Sequence, residues 1–286
     1  NNATGSATGT GTVFVGNGGT LGGAGTIAGP VNVADGGTLA AGNSPGTLNT
    51  GSLSFGSGSI LNYELGQAGT PGGALNDLVN VTGNLTLDGT LNVAQSSGGT
   101  FGPGLYRLIT YTGSLTDNGL NIGTIPGSAV ASDLSVQTSV AKQVNLVNRA
   151  GFSLNFWDGG NGGNYNNGAA NGGSGTWRVG SPGDGWTDMD GTLNAAWKQD
   201  QFAVFGGTGG TVTVDKSGGT VSIGGAQFMV DGYVVQGDEL NISGASTVVR
   251  VGDGMAAGAA MTATINSAIT GTGGLNILSP IDNSGN

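Results

Sequence analysis

The chain has 286 residues, of which 62 are glycine, and its 7 basic and 17 acidic side chains give a formal net charge of −10. This acidic balance leaves no basic surface for nucleic acid or anionic lipid. Histidine and cysteine are both absent, which excludes imidazole bases, thiol nucleophiles, disulfides and thiolate metal sites. No apolar run reaches the roughly 18 residues of a membrane-spanning helix. We therefore expect no cofactor and no nucleic-acid partner.

Short apolar–polar–apolar triplets, bounded by glycine-rich turns, recur along the chain. They lie at 13–15, 31–33, 53–55, 79–81, 85–87 and 91–93, and again at 212–214, 221–223, 240–242, 249–251 and 275–277. This alternation predicts short β-strands that bury one face. For two triplets of the second half, the predicted buried residues are Val212, Val214, Val221 and Ile223, and the predicted solvent-facing residues are Thr213 and Ser222.

The spacing of these triplets indicates a repeat. Gly-Gly-Thr-Leu occurs at 18–21 and again at 36–39. Short strands, glycine-rich turns and a repeat of roughly 20 residues are typical of a solenoid. Glycine and β-branched residues disfavour helices throughout, and the best helical candidate is the short segment 194–201. We therefore predict an all-β parallel β-helix, with a β-sandwich of longer, hairpin-linked strands as the competing architecture.

The strand pattern is interrupted between residues 152 and 205. Residues 158–175 are almost entirely glycine, asparagine, alanine and serine, which predicts a long, irregular and exposed loop. All four tryptophans lie between residues 152 and 205. We accordingly predict a β-helix block at 1–149, an aromatic and Gly/Asn-rich junction at 150–177, and a second block of the same solenoid at 178–286.

The aromatic residues of this interval are candidates for a ligand-binding site. Tryptophan and tyrosine rings stack on sugar rings and anchor partner surfaces. The candidates are Trp157, Tyr165, Trp177, Trp186 and Trp197. The alternative, which we favour, is that these rings fill the core where the second block begins.

Asp184, Asp188 and Asp190 form the densest acidic group of the sequence. Carboxylate oxygens are ligands for Ca²⁺, and a pair of carboxylates can hydrolyse a glycan by acid/base catalysis. The alternative is a solvated turn between Trp177 and Trp197. The calcium-binding repeat of β-helical proteins does not recur in this chain, so we favour the turn.

Several motifs resemble those of a known protein family. In the first half these are Gly-Pro-Val-Asn-Val-Ala-Asp-Gly-Gly-Thr-Leu at 29–39, Ala-Gly-Asn-Ser-Pro-Gly-Thr-Leu at 41–48, and the segments 56–65 and 106–111. They look like the passenger-associated repeat of bacterial autotransporters and the segment that follows it. The second half is similar to the autotransporter-associated β-strand repeat, through residues 177, 186–187, 197, 203–207, 210–214 and 269–275.

This resemblance implies a right-handed β-helix on the surface of a Gram-negative bacterium, held there by an outer-membrane barrel that this chain does not contain. It implies a non-enzymatic extracellular stalk or adhesive scaffold, with a host or neighbouring cell surface as its partner. Two alternatives remain open. One is glycan or receptor binding through the aromatic region 152–205, and the other is a surface glycan hydrolase or lyase that uses the aspartates.

The ends of the chain carry repeat-like sequence at 11–15 and 274–278. Neither end has the cluster of lysine, glutamate or proline that blocks strand pairing at a sheet edge. Pro280 and Asp282 are the nearest such residues at the C-terminal end. We therefore expect end-to-end self-association into dimers or filaments.

Overall fold

The computed structural model describes residues 5–42, 44–180, 182–252 and 260–278. The chain divides into two compact units, Asn1–Gly151 and Phe152–Asn286. Within the described residues, regular structure is β-strand apart from two short 3-10 helices, Ala131–Asp133 and Lys216–Gly218. No helix in the described part of the chain has the length and apolar character needed to cross a membrane.

The first unit contains three sheets, and its strands enter them in rotation. Sheet 1 consists of β1 (Val13–Val15), β4 (Val31–Val33), β7 (Leu53–Phe55), β10 (Leu85–Leu87) and β13 (Leu115–Asp117). Sheet 2 consists of β2 (Thr20–Gly23), β5 (Thr38–Ala41), β8 (Ile60–Leu65), β11 (Thr90–Gln95) and β14 (Asn121–Ile122). Sheet 3 begins with β3 (Gly25–Ile27), β6 (Thr47–Thr50), β9 (Leu78–Val81) and β12 (Gly104–Tyr111). Within each of these sheets, neighbouring strands are parallel and differ by three in strand number. Each coil of the chain therefore contributes one strand to each sheet.

Alternation along each strand builds the core of the first unit. Val31, Leu53 and Leu85 lie in register on successive strands of sheet 1, and none is more than 1% exposed. Each such side chain stabilises the fold by roughly 1.5–3 kcal/mol when fully buried. The intervening Asn32 faces outward and accepts a hydrogen bond at 2.8 Å from the hydroxyl of Ser54 on the next strand. The predicted all-β, parallel architecture is confirmed, and it is consistent with a β-helix.

Sheet 3 ends in an antiparallel hairpin that the sequence did not predict. Here β15 (Leu134–Gln137) and β16 (Gln143–Asn148) pair with each other, and β16 pairs with β12, all antiparallel. Only residues 138–142 connect β15 to β16. A connection this short joins antiparallel neighbours, whereas a parallel pair needs a crossover of about a dozen residues or more.

The second unit contains two sheets. Sheet 4 consists of β17 (Phe156–Trp157), β19 (Trp186–Thr187), β20 (Asn194–Ala195), β21 (Gln201–Phe205), β23 (Val221–Phe228), β25 (Leu240–Ile242), β26 (Ser246–Val251), β28 (Ile269–Thr270) and β29 (Gly274–Leu278). Sheet 5 consists of β18 (Gly175–Arg178), β22 (Thr211–Asp215), β24 (Tyr233–Gly237) and β27 (Ala263–Ile265). Pairing between these strands is parallel, except that β19 pairs antiparallel with both β17 and β20. The best helical candidate, 194–201, therefore begins with a strand.

The 275–277 triplet does not bury a face as predicted, because Leu275 is 39% and Ile277 is 70% exposed. For the triplets at 212–214 and 221–223 the predicted burial is confirmed with one exception. Val212, Val214, Val221 and Ile223 are buried, and Thr213 is exposed. Ser222 is only 9% exposed, so its predicted solvent-facing position is wrong. Its hydroxyl donates to the carboxylate of Asp200, and its backbone carbonyl accepts the indole N–H of Trp197 at 2.9 Å. The segment before β21 therefore covers a position that would otherwise face water.

Candidate functional site

The four tryptophans form a buried cluster in the core of the second unit. Trp157, Trp177 and Trp186 are at most 1% exposed, and Trp197 is 2% exposed. The ring centroids of Trp186 and Trp197 lie 4.3 Å apart, and those of Trp177 and Trp186 lie 4.8 Å apart. The rings meet at tilted or edge-to-face angles, which are favoured over face-to-face stacking.

The indole N–H groups of this cluster divide into two kinds. Trp157 Nε1 donates to the carbonyl of Gly173 at 2.8 Å, and Trp197 Nε1 donates to the carbonyl of Ser222 at 2.9 Å. Trp177 Nε1 and Trp186 Nε1 have no hydrogen-bond partner among the described residues. Their rings are therefore held by packing alone. The burial of these rings favours the interpretation that they fill the core of the second unit. Ligand binding by them stays a prediction, because none of the four rings has an exposed face.

Tyr165 is the fifth aromatic candidate, and it is only 8% exposed. Its hydroxyl donates to the carbonyl of Gly159 at 2.9 Å. Burial raises the pKa of Tyr165 well above its ordinary value, and the nearby carboxylates of Asp184 and Asp158 raise it further. The phenol is thus a neutral, buried hydrogen-bond donor that closes a turn of the segment 158–175.

The segment 158–175 is irregular up to Ser174, as predicted, but the expectation that it is simply an exposed loop is wrong. Asp158 is fully buried. Its Oδ1 accepts hydrogen bonds from the backbone N–H and the side-chain amide of Asn171, at 2.6 and 3.0 Å. Its Oδ2 accepts from Asn194 Nδ2 at 2.9 Å. Asn166 and Asn194 also exchange two hydrogen bonds of 2.7 Å through side-chain oxygens and backbone N–H groups. Asparagine side chains therefore tie this segment to β20.

The three candidate metal ligands lie in three different environments. Asp184 is fully buried, Asp188 is partly buried and Asp190 is exposed. Asp188 accepts hydrogen bonds from the backbone N–H and hydroxyl of Thr192 and from the N–H of Leu193, at 2.7, 2.8 and 3.0 Å. Burial opposes ionisation of Asp188, but these hydrogen bonds outweigh it and lower its pKa.

Asp188 therefore closes its own turn. The described residues contain no group of three or more acidic side chains placed to hold a metal ion. Neither the calcium site nor the glycan hydrolase gains support from this arrangement.

A surface groove of about 550 Å³ lies on the outer face of sheet 2 in the first unit, and the sequence analysis did not find it. Gly22, Ala40, Asn62 and Asn92 occupy matching outward positions on four successive strands. Gly22, which has no side chain, and Ala40, which has only a methyl group, form part of the groove floor. The strand register aligns these four positions although their spacing along the chain is unequal, so no fixed repeat in the sequence reveals them.

One edge of the groove is built around Asp77, which is 2% exposed. Its Oδ1 accepts from the N–H of Gly46 at 2.8 Å, and its Oδ2 accepts from the N–H of Glu64 at 2.7 Å. Burial raises the pKa of Asp77 to about 6, against the lowering effect of these two hydrogen bonds. Gly42 beside it has φ of 87°, and a side chain there would clash with Asp77 Oδ1. The 41–48 motif thus positions a buried carboxyl at the groove.

Comparison with known proteins gives one informative similarity. No family model matches the chain. It is 53% identical over 237 residues to the protein named "Adhesin BmaC autotransporter" from Brucella suis biovar 1 (strain 1330). The match covers 82% of this chain but only 7% of that protein, so the chain spans a small part of its relative. The chain is therefore related by sequence to autotransporter passenger domains, which confirms the resemblance seen in its motifs.

Proposed function

We propose that the chain is a non-enzymatic passenger segment displayed on the surface of a Gram-negative bacterium, where it acts as a stalk or adhesive scaffold. The observation that carries this proposal is its 53% identity to a protein named as an adhesin autotransporter. The partner in this proposal is the surface of a host cell or of a neighbouring bacterium. The matched region is 7% of that relative, so in this proposal the chain corresponds to one section of such an adhesive protein.

The proposed architecture of each unit is a right-handed parallel β-helix. Support comes from the rotation of strands among three sheets in the first unit and from the parallel ladders of the second. Outward side chains reinforce the stack. In sheet 3 the Asn80 amide donates to Asn49 Oδ1 at 3.0 Å, and the Thr110 hydroxyl donates to Asn80 Oδ1 at 2.7 Å. Hydrogen bonds that run from coil to coil suit a scaffold that must resist being pulled apart.

Several observations favour a scaffold over an enzyme. A glycosidase needs two carboxyl groups facing one substrate. Of the candidate carboxylates, Asp188 is held by its own turn and Asp184 is fully buried. The four candidate tryptophan rings are packed in the core, and Tyr165 is buried. The proposed role therefore depends on the outer surfaces of the sheets rather than on the residues 152–205.

The adhesive role can be tested with beads coated with the folded 286-residue chain. We expect these beads to attach to epithelial cells or to other bacteria in larger numbers than beads coated with chain that has been heat-unfolded. Equal attachment of the two bead types would contradict the adhesive role. Release of reducing sugar from a surface glycan by the folded chain would contradict the non-enzymatic role.

A further inference from the structure

We propose that the groove on sheet 2 of the first unit binds an uncharged, linear oligosaccharide. This inference rests on the proposed adhesive function and names the chemistry of one ligand. The groove volume of about 550 Å³ falls within the usual range of ligand-binding clefts, roughly 300–1,000 Å³. All of its lining residues belong to the first unit.

The polar groups of the groove include both donors and acceptors. Asn92 Nδ2 donates to Asn62 Oδ1 at 3.1 Å, and the backbone N–H of Thr124 donates to Asn92 Oδ1 at 2.9 Å. This chain of bonds fixes both amide planes and leaves Asn62 Nδ2 without a partner among the described residues. Asn62 and Asn92 sit on adjacent strands, about 4.8 Å apart. Oriented amides at a regular spacing match the repeating hydroxyl groups of an extended glycan.

Glu64 supplies an acceptor beside these amides. It lies two residues beyond Asn62 on β8 and is partly exposed in the groove lining. Its backbone N–H is taken by Asp77, but within the described residues its carboxylate has no hydrogen-bond or salt-bridge partner. A carboxylate accepts two hydrogen bonds at once, so it suits adjacent hydroxyl groups on one sugar ring.

The composition of the lining disfavours anionic and peptide ligands. Among its residues there are two carboxyl groups, Glu64 and Asp77, and no lysine or arginine, which disfavours sulfated or otherwise anionic glycans. The larger apolar lining residues, Tyr63 and Val93, are 1% and 4% exposed, so the groove offers no open apolar pocket. Peptide binding normally depends on such anchoring pockets. A floor of small residues with hydrogen-bonding groups and no open apolar pocket suits a carbohydrate.

The test uses the full chain, with saturation-transfer NMR and calorimetry. The probes are linear hexasaccharides of glucose, of mannose and of N-acetylglucosamine, a sulfated heparin hexasaccharide, and hexa-arginine. We expect at least one uncharged hexasaccharide to bind and the sulfated one not to bind. Binding of none of the three uncharged probes, or binding of only hexa-arginine or the heparin fragment, would overturn the proposal.

Three variants locate the binding. Ala40→Gln places a bulky polar side chain on the groove floor without touching the core, and we expect it to weaken binding at least about tenfold. Glu64→Gln keeps the shape but removes the charge, and should weaken binding by about tenfold, as expected for the loss of a charged hydrogen bond. Thr116→Gln makes the same kind of change at an exposed outward position on sheet 1 and should leave affinity unchanged. Equal affinity of wild type and Ala40→Gln would contradict the assignment of the groove.

The bead assay separates this inference from the adhesive role. If folded wild-type chain and Ala40→Gln attach to cells equally well, and neither binds a hexasaccharide, the groove proposal fails while the adhesive function stands. If the folded wild-type chain attaches no better than unfolded chain, the adhesive function fails whatever the NMR result.

Discussion

The contribution of a buried polar residue to the stability of this protein depends on whether its polar atoms have hydrogen-bond partners. The indole of Trp197 pairs with the carbonyl of Ser222, whereas the equally buried indole of Trp177 has no partner in the described part of the chain. Asp77 shows the same principle for a titratable group, because its carboxyl is buried yet receives two backbone N–H groups. In both cases the net effect depends on the balance between desolvation and hydrogen bonding.

The paired and unpaired tryptophans make a matched experiment. Trp197→Phe and Trp177→Phe remove a similar volume from the same cluster, but only Trp197→Phe also removes a hydrogen bond. The N–H of Asp200 still donates to the Ser222 carbonyl at 3.1 Å, so the carbonyl keeps one partner. We therefore expect the free energy of unfolding to fall by about 1 kcal/mol more for Trp197→Phe than for Trp177→Phe. Urea unfolding followed by circular dichroism measures this, and the opposite order would contradict the hydrogen-bond argument.

The raised pKa of Asp77 predicts a pH dependence of stability. Burial moves its pKa from 3.8 to about 6 in the folded chain, so between these values the folded state binds more protons than the unfolded state. The free energy of unfolding should therefore fall as pH rises from about 4 to about 6, by about 2–3 kcal/mol in total, and then level off. Other carboxylates also titrate in this range.

The contribution of Asp77 is isolated by comparing wild type with Asp77→Asn in urea unfolding at pH 4, 5, 6 and 7. The stability difference between the two proteins should change with pH below about 6 and stay constant above it. The Asn variant keeps the size of the side chain and one acceptor oxygen, which limits other structural effects. Parallel stability curves for the two proteins would show that Asp77 does not titrate in this window.

At the scale of strands, the sequence could predict what depends on local alternation. Triplets such as 31–33 and 212–214 alternate buried and outward residues, and the structure has β4 and β22 there. The antiparallel pairing of β19 with β17 and β20 could not be found this way, because two-residue strands carry no periodicity. Its formation depends on the pairing of Trp157 with Trp186, which are far apart in the chain.

The candidate site was harder to predict for the same physical reason. The asparagine-rich composition of 158–175 correctly indicates an absence of strands before Gly175. It does not reveal that Asp158 accepts from Asn194, 36 residues away. The groove on sheet 2 depends likewise on Gly22, Ala40 and Asn62 coming into register across coils of unequal length. Such alignments are properties of the folded stack rather than of any sequence window.

Two adjacent residues of β22 test the assigned faces. Val214 is 2% exposed and lies in register with Trp177, whereas Thr213 is exposed on the opposite face. Val214→Asp places an unpaired charge in the core and should lower the free energy of unfolding by about 3–5 kcal/mol. Thr213→Asp should change it by no more than about 0.5 kcal/mol. Similar effects of the two substitutions in denaturant titrations would mean that the faces are assigned wrongly.

At the scale of the whole molecule, stability and solubility come from different features. Only 8% of residues are charged, so cohesion within each unit depends on packed apolar side chains and on hydrogen bonds between coils. The excess of acidic side chains gives a net charge of −10, which opposes non-specific association between copies. In the proposed scaffold role, this division leaves the outer faces of the sheets free to carry polar contacts. Association between copies remains possible at a sheet edge whose strand has an unpaired side.

Such an edge occurs at β29, which pairs only with β26 in the described part of the chain. Leu275 is 39% exposed and Ile277 is 70% exposed on this strand. An apolar edge strand is a template for pairing with a second chain. It therefore favours the self-association expected from the sequence. Pro280 and Asp282, the residues expected to oppose pairing, lie outside the described residues.

We expect the isolated chain to show a sedimentation coefficient that rises with concentration. Ile277→Lys should suppress this rise, because a lysine on an edge strand must be desolvated when another strand pairs with it. Thr213→Lys adds the same charge at an exposed position of β22, which has strands on both sides, and should leave the association unchanged. Equal suppression by both variants would indicate a general charge effect rather than pairing at β29. A monomer at every concentration would show that this edge does not join copies of the chain.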